Sequence, residues 1–169
     1  MEKYSHREIF TIKIDLPISK INYNIDGILT SEIQNKYGNT CNENGYIFKD
    51  TIRLLNRSVG QISAISNKSS ISYSVKYSAD IITPSKNEKY NCIIEEISKM
   101  GILAFIKDGI KYNTINDSPL LIIIPLPILQ NQDLSIDNYS KGDNINILVE
   151  AVRVKYNNNQ IQVIGKIDV

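Results

Sequence analysis

The sequence predicts an α+β protein made of two small domains, a sheet covered by one helix and then a β-barrel. Within the stretch from Ile71 to Pro84, residues 71–81 alternate between apolar and polar, as a strand with one buried face does. Apolar residues recur at helical spacing from Ile21 to Tyr37, and five short strand patterns follow Pro84. Because Pro84 and the polar run behind it break the chain, we expect one domain over residues 1–82 and another over residues 83–169.

The composition is that of a globular protein without a strong net charge. Of 169 residues, 42% are hydrophobic and 22% are charged, and the formal net charge is +1. Residues 1–82 contain ten Lys and Arg against eight Asp and Glu, and residues 83–169 contain nine against ten. Neither half is therefore expected to be a strongly basic nucleic-acid binder. The charged N-terminus and the proline-broken apolar run 119–129 predict neither a targeting segment nor a membrane span, so we expect a soluble protein that is not secreted.

The first domain is predicted to contain a strand, a helix and three further strands. Residues 7–15 alternate as the first strand, which Pro17 closes. The helix has one apolar stripe, formed by Ile21, Ile25, Ile28, Leu29, Ile33 and Tyr37. Asn22 or Asn24 is expected to cap its start, and Gly38 to end it as a C′ glycine. The remaining strands are residues 46–55, 60–66 and 71–82, with 67–70 as a polar turn, so that one helix covers one sheet.

The second domain is predicted to be a five-stranded barrel. Its strand patterns lie at residues 90–98, 102–107, 110–115, 145–156 and 160–167. Asp108-Gly109 predicts a hairpin turn before the third strand, and residues 116–142 form a long insertion before the fourth. Five short strands with one insertion at this place are typical of an OB-type β-barrel. The apolar run 119–129 inside the insertion is expected to be core or subunit interface.

Residues with catalytic or metal-binding chemistry are few and scattered. The one histidine, His6, and the two cysteines, Cys41 and Cys92, provide no zinc-ligand spacing, and no phosphate-binding glycine motif is present. Glu95 and Glu96 are neighbours on a predicted strand, so their carboxylates point to opposite faces. We therefore predict no metal, no cofactor and no enzymatic activity of the chain itself.

Basic and aromatic side chains of the second domain are the candidates for contact with RNA. They are Lys99, Lys107, Lys111, Tyr112, Arg153, Lys155 and Tyr156. If several of them share one face, they track a phosphate backbone without reading its sequence. The alternative is that they are ordinary solvated side chains of a barrel. Ten acidic residues in the same half leave both interpretations open.

Four motifs occur in the order and at the spacing of a known family. The first is Gly38, Cys41, Gly45 and Tyr46, and the second is Tyr73, Val75, Tyr77 and Ala79 in alternation up to Pro84. The third is Lys99-Met100-Gly101, and the fourth is Ile164-Gly165 followed by Ile167. In these motifs the chain resembles the stalk subunit of multi-subunit RNA polymerases, which is the seventh subunit of eukaryotic RNA polymerase II and has a counterpart in archaea.

The resemblance implies a non-catalytic subunit of a DNA-directed RNA polymerase. Its tip domain, which carries Gly38, Cys41, Gly45 and Tyr46, would dock on the clamp region of the large polymerase subunits, with a second stalk subunit as a further partner. Its barrel would lie near nascent single-stranded RNA. Ile102 and Leu103 stand where such barrels often carry a stacking aromatic residue, so only weak RNA binding is expected.

The source and one alternative function also follow from the sequence. The divergence from the family and the abundance of Ile, Asn, Lys and Tyr, typical of an AT-rich genome, favour a large DNA virus, which would place the protein in the host cytoplasm and the virion. A cellular protein of an AT-rich protist would be nuclear. The alternative function is a free-standing single-stranded nucleic-acid-binding OB protein, which would bind tightly on its own with a steep salt dependence.

Overall fold

The computed structural model describes residues 4–65, 68–107 and 112–168, and it confirms the predicted α+β fold with an OB-type barrel. The elements are β1 His6–Pro17, α1 Ile25–Tyr37, β2 Thr40–Asn42, β3 Gly45–Ile47, β4 Arg53–Arg57, β5 Gln61–Ile65, β6 Lys68–Ile82, β7 Lys89–Ser98, β8 Gly101–Ile106, β9 Leu120–Pro125, α2 Leu126–Asn131, β10 Asn144–Arg153 and β11 Ile161–Ile167. Short 3-10 turns occur at Ile18–Lys20, Lys49–Thr51 and Ile136–Asn138.

The chain divides into two compact units. The first holds Ser5–Asn39 and Ile47–Ile81, and the second holds Tyr4, Thr40–Tyr46 and the chain from Ile82 onward. The division of the chain at residues 82 and 83 into a docking domain and an RNA-facing domain stays a prediction.

The first unit is organised around β6, the strand with the predicted alternation. β1 pairs antiparallel with β6 along its whole length, from His6 opposite Ile81 to Pro17 opposite Ser70. β4 and β5 pair with the other edge of β6. α1 buries Leu29 and Ile33 in the core to which β6 contributes Tyr73, Val75, Tyr77, Ala79 and Ile81. The predicted helix-on-sheet packing is confirmed.

At the start of α1 the predicted Asn24 cap is present, but Ile21 of the predicted stripe lies before the helix in an extended conformation, and the end of the helix differs from the prediction. Asn24 caps the helix, because its side-chain oxygen accepts from the N–H of Gly27 at 3.2 Å. Gly38, however, has an extended backbone (φ −71°, ψ 136°), and the left-handed residue is Asn39 (φ 56°). The prediction that Gly38 acts as a C′ glycine is therefore wrong. Space explains the glycine instead, since a Cβ there would lie 2.4 Å from the carbonyl oxygen of Gln34.

The predicted strand over residues 46–55 is two strands, β3 and β4, separated by the turn Lys49–Thr51. The Thr51 hydroxyl stabilises this turn, because it donates to the carbonyl of Phe48 at 2.7 Å and accepts from the N–H of Asp80 at 2.8 Å. The predicted polar turn 67–70 is also wrong in part, since β6 begins at Lys68 and includes Ser70. Residue 67 lies outside the described residues.

The second unit contains a closed barrel in the order β10-β11-β9-β8-β7, with β7 pairing back to β10. Its described strand pairs are antiparallel apart from β9 and β11, which run parallel. α2 lies between the third and fourth barrel strands in the chain. The interior is filled by aliphatic side chains with no exposed surface, among them Ile102, Ile122, Ile147, Val149 and Val163.

The third barrel strand is β9 and not the predicted segment 110–115. Residues 112–115 are irregular, and 108–111, with the predicted Asp108-Gly109 turn, lie outside the described residues. β9 forms from the apolar run inside the predicted insertion, because Leu120, Ile122 and Ile124 point into the barrel and are fully buried. Leu129 of α2 is fully buried as well. The buried residues of this run are thus core, as predicted, whereas a subunit interface formed by its half-buried residues stays a prediction.

Candidate nucleic-acid interface

The predicted tip motif contains the hairpin β2–β3, whose turn is fixed by Asn42. The side-chain oxygen of Asn42 accepts from the N–H of Asn44 at 2.8 Å and from that of Gly45 at 3.0 Å. Gly45 has φ +142°, and a Cβ at this residue would lie 2.4 Å from the carbonyl oxygen of Ile82. Tyr46 is buried, with 7% of its surface exposed. Residue 45 must therefore be glycine, because both its backbone conformation and the nearby carbonyl of Ile82 exclude a side chain.

Cys41 holds this hairpin to the turn between β10 and β11. Its N–H donates to the carbonyl of Asn158 at 2.8 Å, and its carbonyl accepts from the N–H of Asn157 at 2.9 Å. Burial raises the pKa of the Cys41 thiol to about 11, so the thiol is neutral at physiological pH. A neutral, buried thiol is a packing group and not a nucleophile.

The candidate RNA-facing residues lie in different parts of the barrel unit. Lys99 is exposed in the turn between β7 and β8. Lys107 is exposed and donates to the side-chain oxygen of Asn144 at 2.9 Å. Arg153, at the end of β10, is exposed, and Tyr156, in the following turn, keeps 67% of its surface exposed. Tyr112 is half-buried, and Lys111 lies outside the described residues.

Arg153 and Tyr156 belong to the end of one hairpin, whereas Lys99 lies at the other end of the neighbouring strands. Arg153 pairs with Gln162, and the same row continues through Leu121 to Phe105. Lys99 precedes Gly101, which pairs with Pro125 at the opposite end of β8 and β9. The hairpin end, and not the whole set, is therefore the local concentration of basic and aromatic side chains.

A cleft lies beside this hairpin end, and sequence reasoning missed it. Its volume is about 340 Å³, and its lining is formed by Leu121, Asn157, Asn158, Asn159, Gln160 and Gln162. The sequence pattern indicates only a hairpin turn at residues 157–159. Their amide composition was the available signal, but the contribution of β9 to the cleft depends on the parallel pairing of β9 with β11, which local sequence does not reveal.

The chain segment that forms the hairpin end carries positive charge. Residues 151–165 include Arg153 and Lys155 and contain no Asp or Glu. The preceding carboxylate, Glu150, pairs with Lys166 at 2.6 Å, and this hydrogen bond lowers the pKa of Glu150 below its usual value. The hairpin end thus carries two cations whose charge no nearby residue of the same segment offsets, which favours an anionic ligand such as a phosphate backbone.

The outer face of the barrel is aliphatic at the place where a stacking aromatic is common. Leu103 of β8 pairs with Ile123 of β9, which pairs with Ile164 of β11. Ile102 points into the barrel and is fully buried. The row of Leu103, Ile123 and Ile164 therefore offers no aromatic ring on which a base could stack. The exposed aromatic residue beside the cleft is Tyr156.

Neither a cluster of metal ligands nor a membrane-spanning helix occurs in the described residues. Within residues 4–65, 68–107 and 112–168, no three His, Cys, Asp or Glu side chains are grouped as metal ligands. In that same part of the chain, no helix has the length and apolar character needed to span a membrane.

The comparisons with known proteins point to transcription. No family model matches the sequence. The chain is 26% identical over 160 residues to a protein of Acanthamoeba polyphaga mimivirus named "Putative DNA-directed RNA polymerase subunit", and the match covers 92% of this chain and 77% of that protein. A match of this length includes residues of both compact units. The chain is thus similar, over most of its length, to an RNA polymerase subunit of a large DNA virus.

Proposed function

We propose that this chain is a non-catalytic, stalk-type subunit of a viral DNA-directed RNA polymerase. The observation that carries the proposal is the similarity to a viral polymerase subunit over 92% of the chain. The OB-type barrel behind a helix-on-sheet unit agrees with the order of domains that the resemblance to the stalk family implies. In this role the first domain docks on the large polymerase subunits and the barrel is offered to nascent RNA.

Exposed apolar side chains of the first unit support a docking role. Leu55 is 51% exposed, and Val59 and Ile62 are each 83% exposed. Single exposed apolar residues are ordinary on a protein surface, but Val59 and Ile62 lie three residues apart and are both almost fully exposed, so they are the candidates for burial by another protein. The large polymerase subunits are the partner that we assign to them, with a second stalk subunit as a further one.

The test is affinity purification of the tagged full chain from its native source, followed by mass spectrometry. We expect the two large polymerase subunits near stoichiometry through moderate salt. The double variant Val59→Asp/Ile62→Asp should lower their recovery several-fold. Met100→Asp, which changes an equally exposed apolar residue of the barrel unit (84% exposed), should leave recovery unchanged.

The contrary result favours the alternative function. If the wild-type chain retains only nucleic acid and scattered RNA-binding proteins, the polymerase proposal fails. A free-standing single-stranded nucleic-acid-binding protein then explains the barrel and its cationic hairpin end. Tight binding of RNA by the chain alone, falling steeply with salt, would be its signature.

A further inference from the structure

The cleft beside the β10–β11 turn offers amide groups that the protein itself does not use. In the part of the chain that the structure describes, the side chains of Asn158, Asn159 and Gln162 make no hydrogen bond within the protein. Gln160 differs, because its amide nitrogen donates to the carbonyl of Ser118 at 2.9 Å and to that of Ile115. The cleft thus combines one fixed amide with several free ones above the half-buried Leu121.

The backbone that carries these amides is fixed before any ligand arrives. Two hydrogen bonds join Asn157 and Asn158 to the backbone of Cys41, and the N–H of Asn158 also donates to the carbonyl of Lys155 at 3.1 Å. Asn157 is in the left-handed region (φ 61°), which asparagine tolerates better than most residues. A fixed turn lowers the entropy that is lost when its side chains bind a ligand.

The chemistry of the cleft and of its rim fits a nucleotide. A side-chain amide presents a donor beside an acceptor, and Asn or Gln pairs in this way with the N6 amino group and N7 of adenine. Arg153 and Lys155 at the rim supply charge for phosphates, and the exposed Tyr156 supplies a ring for stacking. The volume of about 340 Å³ lies at the lower end of the range for small-ligand sites, about 300–1,000 Å³.

We infer that this cleft is a base-reading subsite for single-stranded RNA that prefers adenine. Asn158, Asn159 and Gln162 contact the edge of one base, Arg153 and Lys155 contact the flanking phosphates, and Tyr156 stacks on a neighbouring base. A single strand is required, because only unpaired bases leave their edges free for such contacts. The inference rests on the proposed function for its ligand, RNA, and adds a sequence preference to it.

The test measures binding of the full chain to labelled oligo(A) and oligo(U) RNA of about twelve nucleotides, a length within the range of OB-fold sites. We expect oligo(A) to bind about tenfold more tightly at low salt, a difference of about 1.4 kcal/mol. Asn158→Ala/Gln162→Ala should bring the ratio of the two dissociation constants close to one. Lys155→Ala should weaken both RNAs equally and lower the salt slope by about one.

Control variants distinguish the loss of base recognition by the cleft from a general loss of folding. Asn131→Ala/Asn138→Ala removes two exposed amides of the same unit that do not line the cleft, and it should change neither affinity. Gln162→Glu keeps the size of the side chain, exchanges its donor for a negative charge, and should weaken oligo(A) more than oligo(U). Urea unfolding checks that each variant is folded.

Two outcomes overturn the inference, and both differ from failure of the proposed function. Base reading by the cleft is excluded if the wild-type chain does not prefer oligo(A). It is also excluded if Asn158→Ala/Gln162→Ala and Gln162→Glu leave that preference intact. Both results count against the cleft even if polymerase subunits co-purify. Conversely, adenine preference in a chain that does not recover polymerase subunits supports the cleft and contradicts the stalk role.

Discussion

Replacement of Gly45 by alanine is expected to destabilise the protein strongly, for two separable reasons. An L-residue at φ +142° adopts a backbone conformation that costs about 1–3 kcal/mol. In addition, the new Cβ would lie 2.4 Å from the carbonyl oxygen of Ile82, whereas ordinary contact begins near 3.4 Å. Relief of such overpacking costs roughly another 1–3 kcal/mol. The sum is about 2–6 kcal/mol, a large part of the 5–15 kcal/mol typical of a folded protein.

Gly142 provides a control for the backbone contribution alone. It also has positive φ (+92°), but a Cβ there would meet no atom within 4 Å. Gly142→Ala should therefore cost only the conformational part, about 1–3 kcal/mol. With a urea m-value of about 2 kcal/mol/M, the midpoint should fall by about 2 M for Gly45→Ala and by about 1 M for Gly142→Ala.

The assay is urea unfolding followed by far-UV circular dichroism, with the m-value compared between variants. A midpoint for Gly45→Ala equal to that of Gly142→Ala would refute the close approach to Ile82. A wild-type midpoint for both variants would refute the backbone argument as well. If Gly45→Ala kept its stability but no longer recovered polymerase subunits, the residue would act in docking and not in folding.

Three further predictions use the same unfolding assay. Ile122→Ala should lower the free energy of unfolding by about 2–5 kcal/mol because this side chain is fully buried. Leu121→Ala should lower it clearly less because its side chain is half-buried. Equal losses would contradict the assigned orientation of β9. Thr51→Val should cost about 1–3 kcal/mol, since it leaves the buried N–H of Asp80 without its acceptor, and a neutral effect would contradict that bond. Because burial raises the pKa of Cys41, the neutral thiol favours the folded state below about pH 9, and this contribution should be lost as the pH rises through about 11. Cys41→Ala should not show that loss of stability. Identical pH profiles of the wild type and the variant would contradict the raised pKa.

Local sequence predicted the first unit well because one periodic strand dominates it. β6 buries Tyr73, Val75 and Tyr77 on one face, as its alternation indicates. The polar face was less predictable, because Asp80 is only 4% exposed. Its carboxylate accepts from the Nε of Arg7 at 2.7 Å, and Arg7 lies opposite it on β1. A partner 73 residues away in the chain leaves no trace in a local pattern.

The barrel contains a strand, β9, that the local sequence pattern does not predict. β9 has apolar residues on both faces and a proline at its end, so neither alternation nor composition distinguished it from an insertion. It is a barrel strand because β8 and β11 pair with its two edges. The segment 110–115 had the better local pattern after a turn signal, yet the described part of it is irregular. Long-range pairing overrode local preference in both places.

The hairpin β2–β3 contains the predicted tip motif and is hydrogen-bonded to the turn that lines the amide cleft. The resemblance to the stalk family assigns Cys41 and Gly45 to docking, and this role stays a prediction. Both residues lie in Thr40–Tyr46, which belongs to the same compact unit as β10 and β11. Because the backbone of Cys41 bonds to Asn157 and Asn158, the hairpin holds the turn that presents the amides. If the proposed cleft binds RNA, the motif that the resemblance assigns to docking also supports that binding. Loss of the hairpin would free the turn, raise the entropy cost of binding and weaken base readout while the cleft residues stay unchanged.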